Sequence, residues 1–231
     1  MFKKVTIFAV LCLLGLSLQA QKSKPMNLTT FDREQFHFGY SVGLNTMGFT
    51  TIPINVNDSM MVTTKTNPGI NINLVTNFRL GNFLDLRVLP GIQFSQRDLH
   101  ISDSIGGGEW DARIESVYLD FPILLKYRAQ RVNNFAPYVV GGVSPRFDLT
   151  GGEIENWKPV QRLVKAFDVF PELGVGIDFY LDKVKVSTEL KFSIGMLNIY
   201  NSPPDEPEYD LFDRAMDRML SKMIIFAVHI E

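Results

Sequence analysis

From Ala166 to Met196 the chain reads AFDVFPELGVGIDFYLDKVKVSTELKFSIGM, two long alternating runs that meet at a turn around Leu181–Lys183. In the first run Phe167, Val169, Pro171, Leu173, Val175, Ile177 and Phe179 share one face. Asp168, Glu172, Gly174, Gly176, Asp178 and Tyr180 share the other, with Phe170 as its apolar exception. In the second run Val184, Val186, Thr188, Leu190, Phe192 and Ile194 oppose Lys185, Ser187, Glu189, Lys191 and Ser193. A period of two is that of a β-strand, whose successive Cβ atoms point to opposite faces. The length is what constrains the fold. Strands of soluble proteins run about five or six residues, whereas about ten tilted residues cross a bilayer. Apolar-out, polar-in alternation over that span is the pattern of a transmembrane β-barrel.

The N-terminus fits a secreted precursor. Lys3 and Lys4 precede the apolar run Val5–Leu18, and Leu18-Gln19-Ala20 offers a small-residue cleavage site. Residues 1–20 therefore read as a signal peptide, too short an apolar run for a spanning helix. Residues 21–231 read as a single barrel domain of a Gram-negative outer membrane. The one cysteine, Cys12, lies in the signal peptide, so the mature chain is expected to have no disulfide and, with a poor lipobox, no lipid anchor. A formal net charge of −2 gives no footprint for nucleic acid.

Eight strands are expected: Phe36–Thr46, Gly69–Leu80, Phe83–Ser95, Ile114–Arg128, Ala136–Leu149, the two runs described above, and Lys222–Ile230. Pro90, lacking an N–H, predicts a bulge in the third. Between them, long connections (Gly48–Pro68, Gln96–Arg113, Thr150–Lys165, Leu197–Ser221) alternate with short ones (Gly81-Asn82, Ala129–Phe135, Leu181–Lys183). That is the alternation of outer-membrane barrels, and an even strand count puts both termini in the periplasm. The fold expected is an all-β, antiparallel, up-and-down barrel.

A lumen of eight strands is just wide enough for side chains to fill. The inward set includes Arg79, Arg87, Lys126, Arg146, Lys185 and Lys191 against Asp85, Asp120, Asp148, Asp168, Glu172, Asp178 and Glu189. Near-balanced buried charges must pair, which predicts a cross-linked plug with Arg87, Asp120, Glu172, Glu189 and Lys191 sharing a layer. No catalytic residue, cofactor or metal ligand is assigned. His37 and His229 are expected close together at the rim where strands one and eight meet, as a hydrogen-bonded seam; a metal site with Glu231 is the rival reading. His100, with Asp98 and Ser102 nearby, offers only proximity in sequence, and geometry is what defines a triad.

Certain segments resemble a known family. Phe31-Asp32-Arg33-Glu34-Gln35-Phe36-His37-Phe38-Gly39-Tyr40 with Gly43-Leu44-Asn45, then Leu119-Asp120-Phe121-Pro122-Ile123-Leu124-Leu125-Lys126-Tyr127, and Pro137-Tyr138 with Gly141-Gly142, are similar to the PorT family of Bacteroidetes outer-membrane proteins, called SprT in gliding members. One departure is the ending Ile230-Glu231, where such barrels commonly carry a terminal aromatic. The resemblance implies a non-enzymatic component of the type IX secretion system, which exports folded cargo across the outer membrane and supports gliding motility in motile species. The implied partners are a larger outer-membrane translocon subunit, other secretion-system proteins and outer-membrane lipid. The rival readings are an orphan structural or adhesive barrel and a rim lipid or peptide hydrolase.

The last long connection changes period. Asp205 and Glu208 have capping-box spacing, Pro207 suits a first helical turn, and Arg214 and Arg218 follow where a helix C-terminus favours cations. Tyr209, Phe212, Met216 and Met219 then recur at helical spacing. A short extracellular amphipathic helix over 207–220 is predicted, its stripe serving either as a lid or as a partner-binding face.

Overall fold

The computed structural model describes residues 25–53, 60–103, 109–150, 164–200 and 216–231. The signal segment 1–20, and Tyr209 and Phe212 of the predicted helix, lie outside the described residues. A 3-10 turn, Phe31–Arg33, leads into ten strands: β1 (Phe36–Pro53), β2 (Met60–Arg79), β3 (Leu84–Val88), β4 (Gly91–Asp103), β5 (Glu109–Asp120), β6 (Ile123–Arg128), β7 (Phe135–Asp148), β8 (Phe167–Tyr180), β9 (Lys185–Ile194) and β10 (Met216–Ile230).

These make eight staves among the described residues, because β3 with β4, and β5 with β6, are successive halves of one stave each. The halves part at Leu89-Pro90 and at Phe121-Pro122. Each proline lacks an N–H, and the two interruptions lie side by side, with Leu89 N–H donating to Pro122 O at 3.0 Å. The irregularity expected at Pro90 is present; its partner at Pro122 was not foreseen. All neighbouring staves are antiparallel, and β1 pairs with both β2 and β10, from Tyr40↔Ile230 to Pro53↔Met216 on the latter side. The sheet is thereby closed and has no edge within the bilayer.

Burial follows the sequence alternation. On β7 and β8 nearly every second residue is buried, and the residues between are mostly exposed. Phe38 and Leu173 are each 69% exposed, an arrangement that lipid, not water, accommodates. Outward aromatics mark both ends of the band. Phe83, Tyr127, Phe135 and Phe179 ring the end with the short turns, while Phe94, Phe147 and Phe167 ring the other. Twelve residues of β8 separate Phe167 from Phe179, which at a tilt near 40° is a height of ~30 Å. Such girdles are characteristic of the two membrane interfaces.

Strands run well past the membrane on the long-connection side. β1 has 18 residues and β2 has 20, about twice what a bilayer needs. Most of the expected loops Gly48–Pro68 and Gln96–Arg113 are therefore strand. The alternation that revealed the bilayer segments fades there, because beyond lipid both faces can be polar, and threonine-rich stretches still favour extended backbone.

The predicted helix is corrected in its last part. Met216 to Leu220 belong to β10, where Met219 pairs with Thr51 and Leu220 with Thr50. Met219 is 1% exposed and points inward, so it forms no docking stripe. An isolated short helix is marginal in water; the extended edge of β1 offers the same backbone a ladder of hydrogen bonds.

Leu173 lies midway between the girdles. Leu173→Arg is expected to destabilise the barrel by about 2–4 kcal/mol, read as a lowered urea midpoint for the fraction retaining folded mobility on an unheated gel.

Candidate functional site

With polar residues at every second position, strand register decides which charges meet. Between β8 and β9, Gly174 lies opposite Lys191, Gly176 opposite Glu189, and Tyr180 opposite Lys185. Gly176 is required by a close approach: a Cβ there would lie 2.3 Å from the ring of Tyr138. Into that space Tyr138 lays its ring, and its hydroxyl donates to Glu189 at 2.9 Å.

A single chain of ion pairs crosses the lumen. Arg87 donates to Glu189 at 3.0 Å, and Lys191 sits 3.9 Å from the same carboxylate while donating to Glu172 at 2.9 Å. Arg146 bonds Glu172 and reaches Asp120 at 3.0 Å, and Ser144 donates to Asp120. The five residues predicted to share a layer are thus joined in one network, with Arg146 as the link to Asp120. Their side chains are at most 5% exposed. Beside it, Lys126 donates to both oxygens of Asp178, at 2.7 and 2.8 Å, and lies 3.7 Å from the centre of the Tyr138 ring.

Two further members were not predicted. Arg97, placed by the sequence reading in a loop, is fully buried 3.6 Å from Asp148, donates to Ser221 at 3.0 Å, and lies over the ring of Phe49. Its signal was present, since Gln93, Ser95 and Arg97 continue one alternating face. Glu231 accepts from Arg87 at 3.1 Å and from Lys185 at 2.7 Å.

The histidine pair is a correction. His229 lies opposite Ser41, not His37, in the β1–β10 register. Its Nε2 is 3.5 Å from Glu189, whereas His37 stacks on Phe31 with ring centroids 3.8 Å apart. Nor do His100, Asp98 and Ser102 assemble a triad. His100 meets Asp111 across the β4–β5 ladder at 2.6 Å, and Asp98 meets Arg113 at 3.4 Å. Among the described residues no group of three or more His, Cys, Asp or Glu side chains is arranged to hold a metal.

At the short-turn end the mouth is crossed by residues 25–35, the stretch that precedes β1. Asp32 is the hub. Its carboxylate accepts from Arg128 at 2.6 Å, from the Tyr180 hydroxyl at 3.1 Å, and from Arg79 and Arg131 at 3.4 Å each. Burial opposes ionisation of this carboxyl, but the Arg128 guanidinium beside it prevails and holds it below the usual carboxylate range. Asn27 adds bonds to Asn134 and to Tyr180 O, and Lys185 lies over the Phe31 ring.

A family model described as an outer membrane protein beta-barrel domain matches residues 19–201. The chain belongs to this family of outer-membrane barrels. Among solved structures it is similar to OprG of Pseudomonas aeruginosa, at 11% identity and a TM-score of 0.47, covering 85% of this chain and 96% of that one. Neisserial surface protein A matches at 9% identity and a TM-score of 0.42, covering 85% and 99%. The outer membrane protein AlkL matches at 12% identity and a TM-score of 0.37, covering 91% and 94%. No curated protein matches. As a member of the family the protein resides in the outer membrane, and its apolar band faces lipid.

Arg146 is the test of the network. Arg146→Leu leaves Asp120 without an ion-pair partner among the described residues and strips Glu172 of one, and is expected to cost about 3–5 kcal/mol. Adding Asp120→Asn and Glu172→Gln should recover part of that loss, measured by urea unfolding in lipid vesicles.

Proposed function

We propose that this barrel is a non-catalytic accessory component of the type IX protein secretion system. It assists cargo export, and gliding in motile species, by binding a larger translocon subunit. The observation that carries the accessory role is the filled lumen. Charged side chains from five of the eight staves, with Glu231 just after the last, interlock across it, so folded cargo has no path through the barrel. What the protein contributes must therefore act at its ends or its lipid face. The resemblance to the PorT family supplies the system. Its more discriminating segment, Asp32 to Gly39, is the stretch that closes the short-turn mouth and begins β1. In this reading that mouth and both termini face the periplasm, where cargo waits, and the strand extensions face outward.

The carboxylates of the network are each engaged by a cation, which leaves none of them free to act as a general base and supports the non-catalytic reading. The extended strands β1, β2, β4 and β5 also suit an orphan barrel with an adhesive role, since they present surface beyond the membrane.

Deletion of the gene decides between the two. The secretion role predicts that cargo bearing the C-terminal export signal accumulates in the periplasm and returns to the medium on complementation. Unchanged export would leave the adhesive barrel as the better account.

A further inference from the structure

The short-turn mouth is occupied by the chain's own strap, residues 25–35. Four donors from separate parts of the barrel converge on one point: Arg79, Arg128, Arg131 and the hydroxyl of Tyr180, all on the Asp32 carboxylate. Among the described ion pairs Asp32 is the acid that Arg128 and Arg131 contact, while Arg79 also lies 3.6 Å from Asp85. Three of the donors also have partners other than Asp32. Arg131 stacks on the Tyr180 ring at 3.7 Å and donates to Asn133 O at 2.7 Å, and Arg128 bonds the Tyr180 hydroxyl.

The occupant, by contrast, sits shallowly. No residue of the turn Phe31–Arg33 is buried. Its hold includes the one carboxylate, the Phe31–His37 stack with Lys185 over the same ring, the bonds of Asn27 and Pro25 to the rim, and the bond from Arg79 N–H to Gln35 O at 2.9 Å. Beside it lies a cleft of ≈ 370 Å³, lined by Asn27, Asn133, Asn134, Phe179 and Tyr180 among others.

We propose that this mouth is a docking site for an acidic peptide segment of a partner protein, one carrying an aromatic residue beside a carboxylate. The Asp32 strap is its built-in competitor. Charge selects the occupant class, since displacing Asp32 leaves two arginines without an acid, and charge-assisted, bidentate-capable guanidinium sites favour a replacement carboxylate. The strap competes from the same chain at high effective concentration. A partner segment prevails by adding contacts in the neighbouring cleft. The inference needs only the barrel and holds whether or not the protein serves secretion.

The test titrates a fluorescent peptide, residues 25–36 of this chain, against the full-length barrel in detergent micelles. The Asp32→Asn barrel, its strap disengaged, is expected to bind the peptide at least tenfold more tightly than the wild type does. A peptide carrying Asp32→Asn should lose that binding, as should a barrel in which Arg128→Ala and Arg131→Ala are added. Should Asp32→Asn fail to assemble, Phe31→Ala loosens the strap without touching the arginines and is expected to show the same gain. Equal binding by wild type and loosened barrels would overturn the proposal. So would binding indifferent to the peptide's carboxylate, or competition by inorganic phosphate at the peptide's own concentration.

Discussion

Hydrocarbon offers no partner to a backbone N–H or C=O, and everything else in this structure depends on that constraint. A strand can lie in lipid only if both its edges are paired, so the chain must turn back on itself until the last stave meets the first. Closure by β1 and β10 meets this demand. Once the sheet is closed, alternate side chains are committed: one set to lipid, the other to a narrow interior. The two prolines that interrupt the ladder do so at one level in adjacent staves, which confines the disturbance to one place.

The interior follows from its size. Eight staves enclose little more than the side chains they point inward, so every charged group placed there must find its counter-charge in the same layer. Arg87, Glu189, Lys191, Glu172, Arg146 and Asp120 do so in sequence across the lumen. Small residues make room for long ones, as Gly176 does for Tyr138. Buried ion pairs contribute little net stability against well-packed apolar groups, but removing one partner is costly. The network therefore fixes which residues face which across the lumen.

The legible part of this fold was the part that lipid disciplines. Period-two alternation disclosed the eight staves, the face of each residue, and the five lumen residues that do meet. Legibility ended where lipid ended. In the outer parts of β1, β4 and β5 the pattern changes, with apolar Phe49, Leu99 and Ile114 buried and polar residues such as Asp98 and His100 between them, so these stretches read as loops, which also hid Arg97. Met216 and Met219 sit at helical spacing, yet a pairing partner more than 150 residues away in sequence decides their conformation. His37 and His229 were placed together by assuming that strand ends coincide; the actual register sets His229 opposite Ser41. The role of Asp32 at the mouth carried no local signal, because its partners come from the end of β2, from the end of β6 with the turn after it, and from β8.

Interlocked side chains seal the lumen of this barrel. Conductance across a planar lipid bilayer tests that most directly. Purified, heat-modifiable protein reconstituted at high salt is expected to give no discrete current steps above the baseline of the bare membrane. Stable, stepwise openings by the wild-type protein would rule out a sealed lumen, because they would require a continuous aqueous path where the ion-pair network lies.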